Sequence, residues 1–173
     1  MIPEFSRPFV ATDISRRGTG FSITATPKEC AALAKRFAIL EVVSLSAQGR
    51  LTLAGDGPLI KLEARLTAQV VQACVVTLEP VPASVDESFT VTFGAVADEE
   101  TADDLDLAFD SPDPPDPIID NLVDVGESVA EHLALSLDPF PRSPGAAFEL
   151  PPPEEPEKRH PFAVLSTLMK KGT

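Results

Sequence analysis

The chain has 173 residues, 43% of them hydrophobic and 24% charged, with 18 prolines and a net charge of −13. That is enough for one domain with a real core plus extra segments. With no apolar run near the ~18–20 residues of a membrane-spanning helix, and no basic-then-apolar pattern at the start, the expectation is a cytoplasmic protein with no membrane partner. Cys30, Cys74, His132 and His160 are the whole stock of Cys and His, too few for a disulfide scaffold, and no metal or cofactor is expected. Residues 1–65 carry nine Lys/Arg against six Asp/Glu; residues 66–141 carry seventeen acids and no base; residues 142–173 carry five bases and four acids. Such a middle block excludes DNA or broad nucleic-acid binding by counterion release. It suits either a solvated surface or a basic partner protein.

In chain order, residues 21–26 alternate apolar and hydroxyl side chains and read as a half-buried strand. Thr26-Pro27-Lys28-Glu29 places Thr at the N-cap, Pro at the first helical position and Glu at the third, predicting a helix to near Phe37. Ala31, Leu33, Ala34, Phe37 and Ala38 form its apolar face. Residues 39–47 and 51–54 read as two strands joined by a tight turn at Gln48-Gly49-Arg50. Ile60, Leu62, Ala64, Leu66, Ala68 and Val70 then alternate with polar partners in the clearest strand of the chain. The apolar phase slips at Val71, Ala73 and Val75, pointing to a bulge near Val70-Val71 or to two-sided burial. Val85, Phe89, Val91 and Phe93 mark a further amphipathic strand, so an antiparallel meander follows.

Residues 97–117 combine acids with four prolines and read as a mobile loop. A second helix is predicted from an Asp124 cap with Glu127 at its third position; Val125, Val129, Ala130, Leu133, Ala134 and Leu137 form its stripe, and Asp138-Pro139 ends it. Residues 143–159 form a Pro/Glu-rich linker. In residues 160–173, Phe162, Leu165, Leu168 and Met169 fall at i, i+3, i+6 and i+7, the pattern of a short amphipathic helix. The organisation expected is an α+β domain over residues 1–142, with an antiparallel, meander-like sheet, either open or strongly curved, two packed helices and a tethered C-terminal helix.

No catalytic constellation emerges. Ser128 and His132 are i,i+4 neighbours with no oxyanion loop beside them, and Glu131 is better placed to pair with a strand cation such as Arg65 than for acid–base work. Gly18-Thr19-Gly20 precedes a strand, the reverse of the phosphate-binding order. The Asp-rich segment at 103–110 lacks the glycine and terminal Glu of a calcium loop. Cys74, among apolar neighbours, reads as a buried core thiol.

Three segments carry a resemblance. Cys74-Val75-Val76-Thr77-Leu78-Glu79-Pro80 is similar to the strand motif of the YceD family, the large ribosomal RNA subunit accumulation proteins, with Thr77 where a second Cys often stands. The helix from Asp124 running into Asp138-Pro139-Phe140-Pro141-Arg142 resembles that family's acidic, Leu-rich helix and Pro-rich exit. Pro161-Phe162-Ala163-Val164-Leu165 resembles its C-terminal signature, with His160 replacing an Asn. With Thr77 in place of a second Cys, a metal or redox role for a Cys pair is not expected here.

The resemblance implies a non-enzymatic role in 23S ribosomal RNA accumulation and large-subunit assembly. Two routes are open. Direct RNA contact needs Arg7, Arg16, Arg17, Lys35, Arg36 and Arg50 on one face. Alternatively the acidic block holds a basic ribosomal protein or the pre-ribosomal large subunit, while Phe162, Leu165 and Leu168 dock in a partner groove with Lys170 and Lys171 beside phosphate. The chain has no Trp or Tyr to stack on bases, which favours the second route. The rival from another class is a small-molecule carrier or enzyme using the concave face of the sheet.

Overall fold

The strict alternation along residues 60–72 builds the centre of the molecule. In the computed structural model, which describes residues 3–54, 59–94 and 114–147, the even-numbered side chains of this stretch are all buried. The elements in order are β1 (Pro8–Val10), a 3₁₀ turn (Ala11–Asp13), β2 (Thr19–Thr24), α1 (Pro27–Arg36), β3 (Glu41–Ala54), β4 (Leu59–Ala73), β5 (Pro80–Gly94), β6 (Asp116–Pro117), β7 (Leu122–Asp124) and α2 (Val125–Ser136). Strands β2-β3-β4-β5-β6 form one sheet, antiparallel except for the short parallel pairing of β6 with β5, and β1 pairs with β7 in a second, two-stranded sheet. The fold is therefore α+β, with a mainly antiparallel sheet and two helices. The sheet stays open: β2 and β6 are its edges. No helix among the described residues is long and apolar enough to cross a membrane.

Both helices start where their caps dictate. The Thr26 hydroxyl accepts from Glu29 N at 3.3 Å while the Glu29 carboxylate accepts from Thr26 N at 2.7 Å, a reciprocal capping box. Asp124 Oδ1 accepts from Gly126 N and Glu127 N at 3.0 and 3.2 Å. The same carboxylate accepts from Arg7 N at 2.7 Å and from the Ser6 hydroxyl at 2.5 Å, so one side chain caps α2 and anchors the N-terminal segment. Helix α1 lays Cys30, Leu33 and Ala34 against β3, and α2 lays Val129, Ala130 and Leu133 against β4 and β5. Leu45, Leu51, Leu62, Leu66, Leu33 and Leu133 are fully enclosed between these layers. Each such side chain contributes about 1.5–3 kcal/mol of burial.

Three sequence expectations are corrected. Gly49 is no turn residue: β3 runs unbroken through it, pairing Gly49 with both Phe21 and Ala64. A side chain there would strike the Glu63 carbonyl and the Phe21 ring, so glycine serves close approach inside a sheet, the other physical use of the residue. The bulge lies on β3 between Val42 and Ser44, opposite the Val70 region, while β4 keeps its phase to buried Gln72. Residues 116–117, expected in a loop, pair with β5. The N-terminal segment, which carries no alternation of its own, contributes strand β1 and the fully buried Phe5. The remainder of the 97–117 loop up to residue 113, most of the 143–159 linker and the 160–173 helix lie outside the described residues.

Candidate functional site

Two of the six basic residues read from the sequence act as clamps. Arg7 reaches Glu29 with both guanidinium nitrogens, at 2.8 and 3.0 Å, and lies 4.6 Å above the centre of the Phe5 ring. Arg36 bonds Glu127 at 2.9 and 2.6 Å and Glu4 at 3.1 Å, tying α1, α2 and the N-terminus together. The Arg7 guanidinium holds the Glu29 carboxyl at about 2, well below the usual range. Arg16, Arg17, Lys35 and Arg50 are exposed. Arg50 sits beside Gly18, near Arg16 and Arg17 in the chain, whereas Lys35 and Arg36 end α1 just before β3 begins. Those groups are separated by most of the length of β3, roughly 30 Å at ~3.3 Å per residue. Arg16, Arg17 and Arg50 thus lie toward one end of β3 and Lys35 with Arg36 toward the other.

The outer sheet face is polar and internally matched. Arg65 makes a two-point contact with Asp86 at 2.6 Å, Lys61 meets Glu63 at 2.8 Å, and Ser46 bonds Thr67 at 2.9 Å. Arg65 is thus not the partner of Glu131. His132 stacks on Phe89 with ring centres 3.9 Å apart, and burial pushes its pKa down. The Ser128 hydroxyl donates to the Asp124 carbonyl, and the Ser136 hydroxyl donates to Glu87 and to the His132 carbonyl. Neither serine hydrogen-bonds the imidazole, so a Ser–His pair does not exist here.

Cys74 is buried, though outside the hydrophobic core cluster. It closes a polar knuckle between β4 and β5. Its sulfur accepts from Thr77 N at 3.4 Å and Ser143 N at 3.3 Å, while Val75 N donates to the Pro141 carbonyl at 2.9 Å. The Thr77 side chain, then the Ser143 and Thr77 amides, draw the thiol down to about 6, whereas burial pushes the Cys30 thiol up. Among the described residues no three His, Cys, Asp or Glu side chains converge as metal ligands. The knuckle's visible work is to fix the chain's exit, at 141–143, to the end of the sheet.

The strongest unmatched feature lies between β6, β7 and α2. There a groove of about 610 Å3 has apolar walls from Phe93, Ile119 and Leu122 and a rim of Asp116, Asp120 and Glu131. Its turn is made by Asp120 and Asn121, both left-handed at φ 53° and 60°, a conformation these two residue types tolerate. Ile119 remains 65% exposed. Among the described residues Asp116, Asp120 and Glu131 meet no cation within ion-pair distance. Burial, then Glu127 and Asp116, pushes the Glu131 carboxyl up. The acids of this strip are visible along the chain, but the groove is not, because its shape depends on the β1–β7 pairing. Phe162, Leu165, Leu168, Lys170 and Lys171 lie outside the described residues.

Residues 62–169 match the family described as large ribosomal RNA subunit accumulation protein YceD. No curated protein and no solved structure matches the chain.

Proposed function

Since the chain belongs to the large ribosomal RNA subunit accumulation protein family YceD, we propose that it is a non-enzymatic assembly factor that supports 23S ribosomal RNA accumulation by holding a basic ribosomal protein on the pre-ribosomal large subunit. The observation that carries the protein-binding step is the acidic groove rimmed by Asp116, Asp120 and Glu131, none of which forms an ion pair among the described residues, Arg36 acting on Glu131 only at a distance. A Lys- or Arg-rich segment would relieve the repulsion from Glu127 and Asp116 that adds to burial in raising the Glu131 pKa, and its apolar residues would cover Ile119. The tail residues Phe162, Leu165 and Leu168 add an apolar hook for the same particle, with Lys170 and Lys171 set beside its phosphates.

Direct RNA contact is the weaker route on this fold. Arg7 and Arg36 are committed to carboxylates, and the exposed Arg16, Arg17 and Arg50 stand apart from Lys35. A small-molecule carrier fits less well, because the inner sheet face is filled by the two helices and the core. Capture from lysate with and without nuclease tests the reading. A basic ribosomal protein retained after nuclease, and lost when Asp116, Asp120 and Glu131 are neutralised together, is the expected result. Association that vanishes with nuclease would replace it by RNA binding through the arginines.

A further inference from the structure

A second groove, of about 510 Å3, opens at the end of the molecule where the chain leaves the fold. The connector after α1 supplies Phe37 and Ile39, the β4–β5 knuckle supplies Val75, and the end of α2 supplies Leu135, Leu137 and Pro139. Its wall leaves apolar surface open to solvent: Leu135 is 79% exposed and Val75 47%. The polar groups along it are already satisfied. Gln72 donates its amide to the Asp138 carbonyl at 2.9 Å, and the Asp138 carboxylate accepts from Phe140 N at 2.9 Å. What remains to be covered is hydrocarbon.

The chain's own tail begins near enough to cover it. Pro141 forms part of the groove wall, and Ser143 is fastened to Cys74 beside it, so the remaining chain departs from the groove's own rim. Eighteen residues then separate Ser143 from Phe162. A tether of this length imposes no strain on a return to the rim and keeps a segment in the millimolar range of effective concentration. Phe162, Leu165, Leu168 and Met169 repeat at helical spacing, giving one apolar edge for an apolar slot. Lys170 and Lys171 follow it, and the groove's wall includes the exposed Asp138. A helix this short is marginal alone and gains its order from such a surface.

We propose that residues 161–169 of this chain occupy the groove between α1, α2 and the Cys74 knuckle when no partner is engaged. This goes beyond the assembly reading and does not depend on it. The same apolar edge offered to a partner would first be withdrawn from its own domain, so partner capture and occupation of the groove by the tail would be mutually exclusive. Hydrogen exchange on the full-length protein tests this. In the wild type, amides of 161–169 are expected to exchange at least tenfold more slowly than in the free peptide. Leu135→Glu, at a surface position that folding does not use, should return them to the free-peptide rate. Reciprocally, Phe162→Ala with Leu165→Ala should speed exchange at Ile39 and Leu137. Free-peptide exchange of 161–169 in the wild type would overturn the proposal, as would protection that Leu135→Glu leaves unchanged. Protection that disappears on dilution would overturn it too, assigning the groove to the tail of a second copy.

Discussion

The carboxylates around the N-terminal segment and those along the β6–α2 strip face the same solvent, yet the fold treats them differently. Glu4, Glu29 and Glu127 each meet a guanidinium that links separate elements. Asp116, Asp120 and Glu131 gather around a groove and meet none among the described residues. The first set closes the domain: through Arg7, Arg36 and the Asp124 cap it fastens a segment whose sequence has no strand pattern. The second set costs the fold some mutual repulsion, which is intelligible if a cationic partner supplies the missing charge.

The largest effect comes from breaking the closure itself. A side chain at Gly126 would run into the Phe5 carbonyl and the Arg7 amide, backbone atoms that cannot swing aside. Gly126→Ala should therefore cost about 3 kcal/mol or more, lowering the melting temperature by roughly 10 °C. A melting temperature near wild type would show that the N-terminal segment is not packed where the clamps place it.

Charge removal then separates the two sets. Arg36→Met strands Glu4 and Glu127 together and should cost about 1 kcal/mol, because all three side chains are partly exposed. Neutralising Asp116, Asp120 and Glu131 to Asn, Asn and Gln should leave thermal stability unchanged or slightly raised, while affinity for the basic partner falls tenfold or more. If the triple change instead lowered the melting temperature, the strip would be structural and the comparison would collapse.

Which of these features the sequence reveals follows from how far apart the cooperating residues are. Thr26-Pro27-Lys28-Glu29 and Asp124 with Glu127 act within one turn, so both helix starts were legible. The alternation of β4 was legible because each side chain reports its own face. The pairing of β1 with β7 joins residues more than a hundred positions apart, and neither strand is long enough to show a period. The groove depends on that pairing and was hidden with it. Gly49 misled because a glycine signals both a turn and a close approach, and only Phe21 and the Glu63 carbonyl decide which. Gly126, inside the first turn of a helix, carried a readable hint of the same kind.

Cys74 offers a site stabilised by amides where the clamps use cations. Cys74→Ala should cost about 1 kcal/mol by leaving the Thr77 and Ser143 N–H groups without their sulfur acceptor. Hydrogen exchange should quicken at Thr77 and Ser143 before anywhere else. Uniform loss of protection across the sheet would instead make Cys74 part of the core.

The finest discrimination between the two carboxylate sets is their opposite response to acid. For Glu29 the folded-state pKa, about 2, lies below the unfolded one, because Arg7 favours the charged form. Its contribution is complete above the unfolded pKa of ~4.3 and is lost as pH falls toward 2. For Glu131 the folded pKa lies above the unfolded one, because burial and the neighbouring Glu127 and Asp116 disfavour the charge. Ionised Glu131 therefore penalises the fold at neutral pH, and the penalty fades as pH falls through the folded pKa toward the unfolded one. Glu29→Gln should lower stability at neutral pH and flatten the acid limb of a melting-temperature profile, whereas Glu131→Gln should raise stability slightly at neutral pH and leave the limb below pH 4 in place. Melting profiles of the two variants from pH 2 to 8 read both signs at once. Shifts of the same sign would mean that the strip is compensated within the protein, removing the electrostatic reason for assigning it to a basic partner.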